Sequence, residues 1–406
     1  MGLGSILGTG VFVSIGIAAG LAGPSVIVAL GIAGTLAACN GLSSAQLAAN
    51  HPVSGGTYEY GHRYLSPGLG FAAGWMFLCA KTASAATAAL GFSGYLLRLL
   101  GMETVPRQVP AVVIVAAMTL LTAGGITRSD AVNRGIVAVT VGALLAFVGI
   151  GLPHTIGQGL AGYTPFLNDG GAGAIPNLLE ASALLFVAYT GYGRIATLGE
   201  EVVEPRKTIP RAIHVTLAIT ALLYVSVAVT ALGALPPAAL AQATRDTAAP
   251  LEAAALALGA PGLDRLVAIG ATTAMLGVML NLVLGLSRVV LAMGRRGDLP
   301  RLFAGVRGGS PVPAVVGTGV AIGLLTLVGD VKTTWSFSAF TVLVYYALTN
   351  LAALRLSTSE RLSPRWVAWA GLAGCLGLAP WVDLRVAAAG LGLLGAGFAL
   401  RALLPR

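Results

Sequence analysis

The chain has 406 residues, 56% of them hydrophobic and only 10% charged. An ordinary soluble domain carries about 25% charged residues, so a water-soluble fold of this length is excluded, because it could not cover its surface. The formal charge of +9 is spread over short connections and forms no tract, which speaks against a nucleic-acid surface and fits a membrane topology signal.

Long apolar blocks recur, among them 109–122, 136–152, 213–232 and 314–327. A bilayer-spanning helix needs about 20 mostly apolar residues, and about 17 can suffice. Read with their Gly, Pro and charge boundaries, the blocks predict twelve helices, near 3–20, 25–49, 67–98, 109–125, 133–152, 176–199, 211–233, 264–293, 314–329, 335–356, 366–380 and 384–404. The expected fold class is an all-α polytopic membrane protein. Gly (56 residues) and Pro (20) are abundant, as membrane bundles tolerate.

The first helix contains Gly4-Ser5-Ile6-Leu7-Gly8-Thr9-Gly10-Val11-Phe12, with three glycines within seven residues. Each Gly costs about 1 kcal/mol relative to Ala in a helix interior, so local unwinding is expected there. The third helix carries Lys81 near its middle and no acidic residue. A Lys at a helix centre costs about 2.5–3.5 kcal/mol on insertion scales, which makes it a functional candidate by default. The sixth helix repeats the first anomaly in Ala188-Tyr189-Thr190-Gly191-Tyr192-Gly193. Such glycines also let helices pack closely, but one cluster in each half favours a midplane site between paired broken helices.

Cys39, Cys79 and Cys375 lie within apolar blocks, and an odd, widely spaced set suits neither a disulfide framework nor zinc. His51, His62, His154 and His214 fall at predicted loops or helix ends, without a His-Glu pair at metal spacing. No enzyme, metal or cofactor is expected, and no cleavable signal peptide is evident. With an inside N-terminus, fifteen basic residues fall on inside connections and six on outside ones. Both termini are therefore expected on the cytoplasmic side of the cell inner (plasma) membrane.

Four segments together resemble the amino acid, polyamine and organocation transporters, with the leucine-transporter-like fold. Residues 4–12 look like that family's first-helix signature, and Pro52-Val53-Ser54-Gly55-Gly56-Thr57-Tyr58-Glu59-Tyr60 like its entry to helix 3. Ala188 to Tyr192, followed by Glu200 to Ile213, looks like its helix 6 and following loop. Ser287 to Pro300 resembles its end of helix 8. The matches fall in order over residues 2 to about 313.

The resemblance implies a five-plus-five inverted repeat, helices 1–5 over 1–155 and helices 6–10 over 156–358, with two further helices over 359–406. It implies that the half-helix after Gly8 presents N–H groups at Thr9 and Gly10 to a substrate carboxylate. By similarity, the carbonyls of Ile6, Val187 and Thr190 receive its ammonium, beside Ala188 and Gly191. Tyr189 or Tyr192 would cap the pocket. Cation-specific relatives place an acid where this chain has Gly193-Arg194, which points to neutral or apolar amino acids.

Proton-coupled relatives carry an amine in helix 5 where this chain has Thr140. Lys81 is then the candidate titratable amine, or a fixed charge replacing an ion. Equally, it could only bond carbonyls of the broken helices. Protons are favoured over sodium as the coupling ion, although Thr140, Thr272 and Thr273 offer hard oxygens. The expected function is secondary active transport of amino acids by alternating access, proton-coupled or by exchange. A channel or facilitator for small solutes and a sodium-coupled amine transporter are the alternatives. Small amino acids and the lipid bilayer are the expected partners, nucleic acid is not, and a homodimer is left open.

Overall fold

The structure, a computed structural model, describes residues 3–53, 55–125, 130–159, 163–167, 173–193, 204–306 and 309–404. Their regular structure is helical. α1 (Leu3–Ile6) is a single turn. After Leu7 and Gly8 the chain becomes helical again at Thr9, widens into a π-helix over Gly10–Ser14 and continues as α2 (Ile15–Ala22). The helix expected over 3–20 is thus interrupted, and the interruption falls at Leu7-Gly8. A 3-10 turn at Gly23–Ser25, with Pro24 in its first turn, leads into α3 (Val26–Asn50).

α4 (Thr57–Tyr64) lies outside the expected helices, because its mixed polar sequence contains no apolar block. Pro67 and the Ser66 hydroxyl, which accepts from the Leu69 N–H at 3.3 Å, open α5 (Pro67–Leu99). α6 (Gln108–Ala123) and α7 (Asp130–Gln158) follow, and α7 runs several residues beyond both expected ends. α8 (Ala174–Tyr189) passes into a 3-10 turn at Thr190–Tyr192. The expected end of that helix, near 199, lies outside the described residues.

α9 (Pro205–Ala234) is followed by two short helices, α10 (Pro237–Thr247) and α11 (Pro250–Ala257). Both fall outside the expected helices, each opened by a proline that fixes the first turn. α12 (Leu263–Arg296) ends at Gly297, whose φ of 79° suits a glycine at a helix C-terminus. α13 (Val312–Val328), α14 (Val331–Leu354), α15 (Arg365–Leu378) and α16 (Leu384–Leu403) complete the chain. The Asp330 and Asp383 carboxylates cap α14 and α16 by accepting from backbone N–H groups of their first turns.

Among the described residues, seven helical stretches are long and apolar enough to cross a membrane, counting Gly10–Asn50 as one. α6 and α13 are shorter apolar helices. Burial is uneven: 78% of the most apolar window of α14 is inside the protein, against 28% for α7 and 17% for α16. The outer faces carry exposed Leu120, Leu222, Val328 and Leu384, the apolar exterior that a bilayer covers.

At the centre, α5 packs extensively against both α12 and α14. Hydroxyl pairs join α5 to α14, Ser84 to Ser338 and Thr87 to Thr334, each at 2.7 Å. The Asn350 amide of α14 donates to the Asn40 side chain of α3. Buried polar pairs of this kind hold helices together where apolar association is weak.

Candidate substrate site between the two helix breaks

At the first break the N–H groups of Val11 and Phe12 both return to the Gly8 carbonyl, each at 3.1 Å. Gly8, Thr9 and Gly10 therefore precede the first closed turn, where helix N–H groups lack intrahelical partners. At the second break the Thr190 N–H returns to Val187, and the Thr190 hydroxyl donates to the same carbonyl at 2.8 Å. The Gly193 N–H then closes on the carbonyls of Thr190 and Gly191.

The two breaks touch. A Cβ on Gly10 would stand 2.6 Å from the Ala188 Cβ, and one on Gly191 would collide with the Ser5 carbonyl. The glycines thus serve both readings, unwinding the helices and letting the unwound parts meet. Tyr224 of α9, fully buried, spans the junction: its hydroxyl lies 2.9 Å from the Ile6 carbonyl and 3.1 Å from that of Ala188. A hydroxyl has one proton, so the two carbonyls share it.

A cavity of about 150 Å³ lies beside the junction, lined by Ile6, Thr9, Gly10, Val187, Ala188, Thr190 and Gly191, with Lys81 from α5. The Thr9 hydroxyl is buried and has no hydrogen-bond partner among the described residues. Lys81 is only 9% exposed and donates from Nζ to the Thr190 hydroxyl at 3.0 Å, with Nζ 5.9 Å from the Tyr345 ring centre. Neither Asp nor Glu is among the described residues that line the cavity, and Lys81 forms no ion pair with a described residue.

The cavity extends toward Gly55, Gly56 and Thr57 at the start of α4, and to Arg288 of α12. Beyond Gly10, outside the cavity lining, the Tyr95 hydroxyl donates to the Phe12 carbonyl at 2.7 Å and accepts from the Leu251 N–H at 3.3 Å. Arg98 of α5 pairs with Glu252 of α11 at 2.5 Å.

A model of the family described as amino acid permease matches residues 1–398. The chain belongs to the amino acid permease family. An uncharacterized transporter of Mycobacterium tuberculosis is 41% identical over 404 residues, covering 98% of this chain and 88% of that protein. The methylthioribose transporter of Bacillus subtilis is 27% identical over 369 residues, 84% of this chain and 77% of that one. The branched-chain amino acid permease BcaP of Bacillus subtilis is 29% identical over 322 residues, 74% and 66% of the two chains. These relatives are transporters, not enzymes, and this chain is a multi-pass membrane permease.

Most candidate residues of the permease meet at this cavity, but several do not. Gly8 instead packs on Val278, whose Cγ2 would lie 2.6 Å from an added Cβ. Tyr189 and Tyr192 do not line the cavity as caps. Tyr189 is turned toward α3, its hydroxyl 3.4 Å from the Leu30 carbonyl, and Tyr192 lies with its ring centre 5.8 Å from that of Tyr346. The aromatic wall comes from Tyr60, Phe77, Trp335, Tyr345 and Tyr346.

Thr140 of α7 is buried, its hydroxyl without a partner among the described residues, and does not line the cavity, so Lys81 and Thr140 do not share this cavity. Thr272 and Thr273 donate to carbonyls of their own helix. Arg194 lies outside the described residues, as do Glu200 and Glu201 of the following loop. The described part of that loop has an exposed pair, Lys207 with Glu204 at 3.3 Å, which contributes little.

The carbonyls expected to receive an ammonium already have protein partners: Ile6 has Tyr224, Val187 has Thr190, and Thr190 has Gly193. Tyr224 had one visible signal, as the only Phe, Trp or Tyr in α9. The permease also has a polar cluster at α4. Asp298 accepts from Tyr58 at 2.8 Å and Arg401 at 2.7 Å, with His62 at 3.4 Å. Burial pushes the Asp298 carboxyl up, but hydrogen bonds from His62, Tyr58 and Arg401 outweigh it and hold the group below the usual carboxylate range.

Proposed function

We propose that the chain is a secondary active transporter of amino acids that works by alternating access, built as an inverted repeat over 1–155 and 156–358 with two further helices. The observation carrying this reading is that two helix breaks meet beside one cavity, whose lining runs from the breaks to the start of α4. A carrier presents one site to one side at a time, and discontinuous helices supply such sites. By alternation of the expected helices, the connections on the side of α4 carry most of the basic residues, which supports placing that side in the cytoplasm at the inner (plasma) membrane.

A zwitterion suits this chemistry. The N–H groups at Thr9 and Gly10, with the Thr9 hydroxyl, suit a carboxylate. The carbonyls of Ile6 and Thr190 each keep a second lone pair for an ammonium, whereas that of Val187 already accepts from both the N–H and the hydroxyl of Thr190. Cationic amino acids suit it poorly, because Lys81 and Arg288 line the cavity without an acid among the described residues.

Lys81 favours the proton as coupling ion, since among the described residues its amine meets the Thr190 hydroxyl and the Tyr345 ring and no anion. Sodium is disfavoured because Thr140, Thr272 and Thr273 are not among the described residues that line the cavity, and neither is an acidic side chain. Counterflow in proteoliposomes tests the whole reading. Saturable uptake of a labelled amino acid, accelerated by unlabelled substrate inside and driven by a pH gradient without sodium, is expected. Flux that rises linearly with concentration and ignores substrate on the opposite side would make the protein a channel.

A further inference from the structure

We infer that Lys81 pairs with a second carboxylate on the substrate, so that the site takes acidic amino acids. This rests on the cavity being the amino acid site. Lys81 is 9% exposed, lines the cavity and has a single hydrogen bond, to Thr190. The Thr190 hydroxyl gives its own proton to Val187, so it meets Nζ as an acceptor. That satisfies one of the three ammonium protons and leaves two without an acceptor among the described residues.

The described surroundings offer no counter-charge. From α14 come Tyr345 and Ser338, and the Ser338 hydroxyl is engaged with Ser84 of α5 at 2.7 Å. The 3-10 turn after α8 supplies Thr190, and α12 contributes Arg288, a second cation. A buried ammonium without an anion is unfavourable, and a hydrogen-bonded carboxylate is its best partner.

The two ends of the substrate then divide between the breaks. The α-carboxylate meets the N–H groups at Thr9 and Gly10 of the first break, while Lys81 stands at the second, against Thr190. A neutral side chain leaves Lys81 unpaired. A basic one meets it with like charge.

The test compares L-glutamate with L-glutamine and L-aspartate with L-asparagine as competitors of counterflow at one pH, in the wild type, Lys81→Met and Lys81→Arg. Wild type is expected to prefer each acid over its amide by about 30-fold or more, the scale of a broken buried charge pair. Lys81→Met is expected to lose that preference while still binding the amides, and Lys81→Arg to retain part of it. Equal binding of acid and amide by wild type overturns the assignment, and that result needs no variant. So does an equal weakening of both by Lys81→Met, which would mean that Lys81 serves the α-carboxylate or the packing. Binding of neutral amino acids alone overturns this inference and leaves the transporter reading standing. If no amino acid binds, both fall.

Discussion

The Tyr224 hydroxyl reaches from α9 to the carbonyl of Ile6 at 2.9 Å, taking one of the acceptors that a substrate ammonium needs. It also reaches the Ala188 carbonyl, so one proton ties the first break to the second. Tyr224→Phe leaves both buried carbonyls without that donor. The empty protein is expected to lose about 1–3 kcal/mol. Because an ammonium then replaces a missing donor, substrate should raise the melting temperature of Tyr224→Phe more than that of wild type. Equal shifts in a thermal-stability assay would show that Tyr224 does not compete for the ammonium's place.

Gly10 lies so close to α8 that a Cβ would be 2.6 Å from the Ala188 Cβ and 2.8 Å from its Cα. Neither atom belongs to a flexible side chain, so Gly10→Ala must push the breaks apart. Overpacking of this kind costs about 1–3 kcal/mol, and the displaced breaks should abolish uptake. Gly31, with nothing within 4 Å of an added Cβ, is the control, and Gly31→Ala should transport normally. Normal uptake by Gly10→Ala would mean that contact between the breaks is dispensable.

The features visible in the sequence were those that violate a rule of the bilayer on their own helix. Lys81 stood out because a lone charge in an apolar helix is unfavourable wherever its neighbours lie. The glycines at 4, 8 and 10, and at 191 and 193, stood out because they weaken a helix locally. Tyr224, Tyr345 and Tyr346 break no local rule, and their roles arise only from how α9 and α14 rotate against the breaks. The same rotation explains the misplacement of Tyr189 and Tyr192, which share the break in sequence but face α3 and α14. Short α4, α10 and α11 escaped because hydropathy finds membrane-length blocks and passes over shorter helices.

Asp298 ties three elements together, with Tyr58 and His62 from α4 and Arg401 from α16 around its carboxylate. Its folded value lies below the ordinary one, so the charged form favours the folded state. That contribution is complete above the unfolded value, about pH 4, and is lost as pH falls through the lower folded value. Asp298→Asn is expected to reduce stability by about 1.5–3 kcal/mol near neutral pH, the range for hydrogen bonds to a charged group. Melting curves of the two proteins should stay apart down to about pH 4 and converge below it. Separation that grows on acidification would contradict the assigned direction.

Tyr95 of α5 joins the second half of the first helix to the linker helices. Its hydroxyl donates to Phe12 at 2.7 Å and accepts from the Leu251 N–H at 3.3 Å. Tyr95→Phe keeps the ring and its edge-on contact with Phe12, at 6.0 Å between centres, and removes only the bridge. Arg98 and Glu252 still hold α11 to α5, so the linker should loosen without detaching. Hydrogen exchange of the amides in α11 is therefore expected to quicken by about one order of magnitude, the effect of about 1.4 kcal/mol. Exchange in α14, which makes no contact with the Tyr95 hydroxyl, should be unchanged. Unaltered exchange in α11 would mean that Arg98 and the surrounding packing hold α11 without Tyr95.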